Sequence, residues 1–507
     1  MNSIKTKLFC LITWVMAMTA AHLTAQTFTV LHNFAADSNY GPNSGGAGPL
    51  GGLISSGNTL YGTTEFGGPS SEGTVFAVNA DGTDFTSPFS FDGDSDENAA
   101  YPFDGLILSG NTFYGTQGGA GTTSGGVFAV NTNGTGFTNV YNFTPALAPS
   151  YTNSDGAFPY GEVLLLGNTL YGTTPEGGTS GNGTVFAVNT DGTGFTNLHS
   201  FTATNSDGVN SDGAYAYEGL VSSGNTLYGT AYLGGGGGTG TVFAVNTDGT
   251  GFTTLYSFAA AIGTEGGDGT NSDGANPLGR LILSGDTLYG TAHSGGSSGA
   301  GTVFALNTNG TGFTTLHSFA AGSGTYPHFT NSEGGYPYAG LILLGSTLYG
   351  AAQSGGSGGS GTVLALNTKG TGFTTLHSFA GLSGSEGNGG YGANSGGAYP
   401  DSVLIISGNT LFGTADYGGS LGNGTLFSVS LPTPPPLTIT ASDTNAILTW
   451  PTNDAGFSYS GYTLQSTTNL VSPAVWAPVV PGPVVVNGQL TVTNPLSGAQ
   501  QFYRLTQ

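Results

Sequence analysis

The chain of 507 residues is poor in cations, with five Lys and Arg against 28 Asp and Glu, and it has a single cysteine, Cys10. The shortage of positive charge argues against nucleic acid and anionic lipid as partners, since both are recognised through Lys and Arg. Lone Cys10 excludes an intrachain disulfide or a multi-cysteine metal site. No later segment approaches the ~20 consecutive apolar residues of a membrane-spanning helix. No stretch beyond the N-terminal segment carries a helical apolar period. Glycine and aromatics are abundant instead, with 93 Gly, 30 Phe and 24 Tyr. Regularly spaced aromatic and β-branched residues distinguish this composition from that of a disordered chain.

Residues 1–25 have the pattern of a secretory signal peptide. Lys5 and Lys7 precede a mostly apolar run over residues 8–20, and Ala25, or alternatively Ala21, offers a small residue for cleavage. Cleavage would remove Cys10 and two cations, leaving three cations and 28 carboxylates, a net charge near −25. A secreted or surface-associated product is expected, with no membrane span after cleavage. The cations left over suit neither nucleic acid nor phosphate chemistry; neutral polymers and divalent cations remain as partners.

A Leu-Tyr-Gly-Thr-like tetrapeptide recurs seven times, with its aromatic residue at Tyr61, Tyr114, Tyr171, Tyr228, Tyr289, Tyr349 and Phe412. The spacings of 53 to 63 residues indicate a repeat architecture. In one unit, Leu281-Ile282-Leu283, Thr287-Leu288-Tyr289-Gly290-Thr291, Thr302-Val303-Phe304-Ala305-Leu306 and the segment 313–319 read as four short strands. Asn309-Gly310 predicts a type I′ hairpin between the last two. Four antiparallel strands per unit, repeated radially, describe a β-propeller blade. The outer-strand motif precedes the first inner strand, at Phe28, and has no copy after the seventh unit. The sequence therefore predicts an all-β fold: a seven-bladed β-propeller over residues 26–431, closed by a strand at 27–34, which removes exposed sheet edges. Residues 432–436 form a Pro-rich linker. Short strand patterns over 437–507, with Trp450 and Trp476 as core residues, predict a small β-sandwich.

The repeated Gly-Leu-Ile-Leu, Leu-Tyr-Gly-Thr, Gly-Gly and Gly-Thr-Val-Phe-Ala-Leu-Asn elements resemble the GloVer repeat of Verrucomicrobia over residues 27–431. The last module, with Leu448-Thr449-Trp450-Pro451, Tyr462-Thr463-Leu464-Gln465-Ser466 and Phe502-Tyr503-Arg504-Leu505, resembles a fibronectin-type-III-like domain. The resemblance implies an exported or surface-associated protein and transfers no functional residue.

Three sets of residues invite a functional reading. His32, His199, His317 and His377 share one outer-strand position with Phe89, Tyr141 and Tyr256, which marks a packing site for flat rings; His293 and His328 lie in loops. Turns carrying Asp155, Asp212, Asp273 and Glu333 offer oxygen ligands for Ca²⁺, although each has one carboxylate and each also fits a self-capping turn. An aromatic-proline element before the innermost strand contains Tyr101, Tyr160, Tyr217, Tyr338 and Tyr399, whose rings suit stacking on sugars at a central opening. Recurrence of this element favours packing between adjacent blades instead. Arg280, the only arginine before residue 504, replaces a residue that is Gly52, Gly105, Gly219 or Gly340 elsewhere, with Glu162 the other charged substitution. Too few arginines are present for a sialidase-like carboxylate clamp. The expectation is a monomeric, noncatalytic binder of extracellular polysaccharide or another cell-surface polymer. A secreted carbohydrate-active enzyme using acidic loop residues, and a structural or adhesion component, are the alternatives.

Overall fold

The computed structural model describes residues 27–34, 43–93, 100–119, 124–146, 151–263, 269–324, 329–383, 392–431, 437–442, 445–454, 457–458, 462–468, 476–495 and 501–506. The expected signal peptide, the Pro-rich linker and His328 lie outside these residues. Contacts divide the chain into two compact units, Phe28–Val429 and one that includes Ser430–Gln507.

The larger unit is all-β and propeller-like. Among the described residues it contains seven four-stranded antiparallel sheets. Strand β1 is Phe28–Asn33, and the first sheet comprises β2 (Ile54–Ser56), β3 (Thr59–Thr64), β4 (Thr74–Asn79) and β5 (Thr86–Ser90) in sequence order. Five further repeats follow the same order. The seventh sheet has three strands of its own, Ile405–Ser407, Thr410–Ala415 and Thr425–Ser430, and takes β1 as its fourth, with Phe28 opposite Val429.

Local chemistry explains the repeat. In the fifth unit Gly290 faces Phe304 across the ladder, and a Cβ at Gly290 would meet the ring at 2.6 Å. The aromatic ring therefore requires glycine opposite it. The outer hairpin differs from the expected type I′ turn. Gly310 alone of its central pair has positive φ, at 79°, while Asn309 accepts hydrogen bonds from the Thr311 backbone N–H and hydroxyl. The four-residue turn places its left-handed residue at the end, so the asparagine is freed to cap the chain.

Neighbouring sheets are joined by flat ring stacks. The shared His/Phe/Tyr position of each outer strand lies against the first Phe of the next: Phe89 on Phe137, Tyr141 on Phe195, His199 on Phe252, Tyr256 on Phe313 and His317 on Phe373. His377 of the sixth sheet stacks on Phe28 at 3.6 Å, and His32 of the seventh stacks on Phe85 of the first at 3.7 Å. Each such contact contributes about 0.5–1.5 kcal/mol beyond simple burial.

The C-terminal unit contains a four-stranded sheet ordered Thr438–Ser442, Asn445–Pro451, Gln489–Pro495, Val484–Val486, and a three-stranded sheet ordered Ala477–Pro478, Thr463–Thr467, Phe502–Thr506. A single core of Ala446, Leu448, Trp450, Leu464, Leu490 and Val492 draws on both sheets. Trp476 corrects the expectation of a second core tryptophan. It remains half-exposed, and the Arg504 guanidinium lies 4.3 Å from its ring centre. It precedes the two-residue strand Ala477–Pro478, outside the ladder that would fix its direction.

Candidate functional site

The innermost strand of each repeat is preceded by a segment pinned at both ends. The first residue of the aromatic-proline element has positive φ in Tyr101, Phe158, Tyr215, Asn276, Tyr336 and Tyr399, between 55° and 61°. Its backbone N–H bonds a carbonyl of the preceding repeat, as Tyr101 does to Glu72 and Tyr336 to Ala300. The proline then packs on a glycine there, Pro102 on Gly73 and Pro337 on Gly301. A second-strand threonine holds the next part, as Thr63 bonds the Asp104 carbonyl and Thr173 the Glu218 carbonyl. Left-handed backbone is costly for non-glycine residues, and here these inter-repeat bonds sustain it.

Side chains of this segment from several repeats converge beyond the clamp. They surround a cavity of about 220 Å³ lined by Phe103, Tyr160, Tyr217 and Tyr338, with the carboxyl groups of Asp104, Glu218 and Asp401. Leu50 and Val403 complete the wall from the first and seventh repeats. A volume below the ~300–1,000 Å³ of drug-sized sites suits a small ligand or the end of a longer one.

Charge is concentrated at this place. Beside the wall, Arg280 Nη1 donates to Glu162 Oε2 at 2.5 Å. Asp104 accepts from the Glu162 backbone N–H at 2.7 Å and from that of Gly105 at 2.6 Å. Gln353 Nε2 donates to Asp401 Oδ2, while Asp401 Oδ1 is buried without a protein partner. Burial pushes Glu162 up to about 7, against the downward pull of Arg280. Glu218 is raised well above the usual carboxyl range by burial and by Asp104. Asp401 is raised likewise by burial and by Asp416, itself pushed up to about 7 by burial. The Tyr217 phenol is pushed up to about 12, chiefly by burial. The cavity therefore offers carboxyl groups that donate as well as accept, next to aromatic faces.

The structure divides the residues expected from sequence. Tyr160, Tyr217 and Tyr338 line the cavity. Tyr101 lies on a neighbouring depression, and Tyr399 is buried, edge-on to Tyr417. Arg280 is engaged by Glu162 beside the wall, with its Nε buried and unbonded. The acidic turns are built into the frame. Asp155 accepts from the Tyr141 hydroxyl and Thr144 N–H, Asp212 from His199 and Thr202, Asp273 from Tyr256 and Ala259, and Glu333 from His317 and Ala320. Among the described residues no three His, Cys, Asp or Glu side chains form a group able to hold a metal ion. Asp104, Glu218 and Asp401 escaped the sequence reading. A signal existed for each: Gly51, Gly161, Gly279, Ala339 or Ser402 stands where Asp104 and Glu218 do, and Leu50, Phe103, Tyr160, Tyr217, Leu278 or Tyr338 stands where Asp401 does.

Among solved structures, an oligogalacturonate lyase in complex with manganese aligns at TM-score 0.44 with 12% identity, over 82% of this chain and 99% of its own. A puromycin-hydrolyzing peptidase from Mycobacterium tuberculosis also aligns at 0.44, with 11% identity, over 82% of this chain and 62% of the peptidase. TolB from Acinetobacter baumannii aligns at 0.33 with 11% identity, over 60% of this chain and 59% of its own. Likenesses this distant carry nothing about activity. No curated protein matches the chain. The model of the Gloeobacter/Verrucomicrobia repeat matches residues 17–209 and 210–329. More than half of the sequence is thus accounted for, and the chain belongs to the Gloeobacter/Verrucomicrobia repeat family.

Proposed function

We propose that the protein is exported, that residues 26–431 form a closed seven-bladed propeller, and that its axial cavity binds a neutral saccharide end of an extracellular polymer without transforming it. One observation carries the binding reading. Three carboxyl residues that depart from their counterparts in other repeats, Asp104, Glu218 and Asp401, converge with three tyrosines on one cavity. Recurrence would explain a structural group; convergence of exceptions argues for a ligand. Sugar rings stack on tyrosine faces, and sugar hydroxyls exchange hydrogen bonds with carboxyl groups.

Closure is supported by the stack of His32 on Phe85 and by Gly52, where a Cβ would lie 3.9 Å from the Val403 carbonyl oxygen. Export is supported by the N-terminal sequence pattern alone. The two sheets of the C-terminal unit share one core, as a fibronectin-type-III-like module would, and that module would serve attachment. A polysaccharide array probed with the mature protein, with and without Ca²⁺, tests the function. Selective binding is expected in both conditions, weakened at least tenfold by Tyr217→Ala. Silence on the array would leave a structural or adhesion role. A second reading has its own support. Asp104, Glu218 and Asp401 give the cavity neighbouring carboxyl groups of the kind glycoside hydrolysis uses, so appearance of new chain ends on the bound glycan would make the protein an enzyme.

A further inference from the structure

A second depression, of about 290 Å³, opens beside the axial cavity and shares two of its walls, Phe103 and Tyr160. Their ring centres are 4.3 Å apart and tilted by 56°, so together they make a saddle between the two spaces. Beyond the saddle, Phe66, Tyr101 and Phe158 supply further aromatic surface, with the Glu65 carboxyl among them. Phe158 continues the Tyr160 ring at 6.4 Å and 20°, and Tyr160 continues toward Tyr217 at 6.2 Å and 10°. One band of aromatic faces thus runs from the cavity to the outer depression.

The opening has an origin in sequence. After the second strand, the other repeats place side chains at two consecutive positions: Glu65-Phe66, Pro175-Glu176, Tyr232-Leu233, His293-Ser294, Gln353-Ser354 and Asp416-Tyr417. The second repeat has Gly118-Gly119 instead, and both glycines line the depression. Gly118 does not need to be glycine for its backbone, because its φ is not positive. A Cβ there would stand 3.1 Å from the Phe103 ring and 3.5 Å from that of Tyr160, projecting into the shared wall. The missing side chains leave this wall of the depression bare at the second repeat.

We propose that this depression is a second saccharide subsite, and that the protein recognises a chain end of at least two sugar units. The terminal unit occupies the axial cavity, and the penultimate unit crosses the Phe103–Tyr160 saddle onto the outer shelf. Glu65 there accepts or donates to a ring hydroxyl, because burial and the Asp416 charge push it up to about 8. This inference rests on the saccharide reading above. It adds a direction of entry, through the second repeat, and a minimum ligand length.

Titration calorimetry with matched monomer, dimer and tetramer series of glucose, mannose and galactose tests both readings. In the responding series the dimer is expected to bind about tenfold more tightly than the monomer, a difference of ~1.4 kcal/mol. Gly118→Gln imports the residue of the sixth repeat, and Phe66→Ala removes shelf surface without adding bulk. Each should reduce the dimer advantage to about threefold or less, and Phe66→Ala, which leaves the shared wall untouched, should do so with monomer affinity within about twofold of wild type. Equal binding of monomer and dimer by the wild type, or an advantage that survives both variants, overturns the second subsite and leaves the saccharide reading standing. Failure of every sugar to bind overturns the saccharide reading and the subsite with it.

Discussion

At the outer-strand position shared by His32, Phe89, Tyr141, His199, Tyr256, His317 and His377, the residue across the following turn decides the chemistry. Where the turn carries an acid, the ring donates to it: Tyr141 to Asp155, His199 to Asp212, Tyr256 to Asp273 and His317 to Glu333. Burial lowers His317 against the upward pull of Glu333, and where the turn carries Gly45 or Gly396 nothing opposes it, so His32 and His377 are pushed down to about 4. Gly396 has room for a side chain, since a Cβ would lie 3.6 Å from the Phe28 ring and 3.9 Å from His377 Nε2. Gly396→Asp should therefore raise the His377 pKa by about one unit or more, observed by NMR titration of its ring protons. An unchanged value would show that the turn does not set it. The interchange of aromatics with histidine revealed a stacking position in sequence. The pairing of donor with acid did not show there, because the partners lie 13 to 17 residues apart across loops of variable length.

Strand β1 tests what holds the first and last repeats together. Phe28 stacks on His377 and also approaches Phe379 and Phe427, at 5.6 and 5.5 Å. Phe28→Ala should cost about 2–3 kcal/mol in chemical denaturation, close to the cost of Phe252→Ala at the corresponding stack inside the array. An open array would tolerate the first substitution far better than the second. The offset of the outer-strand motif made this strand's role legible before any coordinates. Turn geometry was less legible: Asn-Gly pointed to type I′, yet side-chain capping by Asn309 selected a turn with a single left-handed residue, Gly310.

For the whole molecule, buried acids and buried histidines pull stability in opposite directions as pH changes. Asp416 at about 7 and Glu65 at about 8 are raised in the folded state. Their contribution is complete below the unfolded carboxyl value and is lost as pH rises through 7 to 8. His32 and His377, held near 4, contribute stability that is complete above the unfolded histidine value of 6.5 and is lost as pH falls toward 4. Thermal unfolding should therefore show greatest stability between about pH 4.5 and 6.5, with a decline on the alkaline side that Asp416→Asn and Glu65→Gln flatten. A maximum above pH 8 would contradict these assignments. The large negative charge of the chain favours the same acidic optimum, because protonation reduces self-repulsion.

The sequence by itself determined the repeat, its four-strand unit and the displaced first strand. These are local patterns of apolar alternation, glycine and turn residues, and each can be read within about 60 residues. It also marked Arg280 and Glu162 as exceptions. Only the tertiary structure decided that Asp104, Glu218 and Asp401 meet at one cavity, since each belongs to a different repeat and their approach depends on how the sheets are arranged. Only the structure, too, separated the halves of the aromatic-proline element. Its first residue bonds the preceding repeat, and its third, as in Tyr160, Tyr217 and Tyr338, lines the cavity.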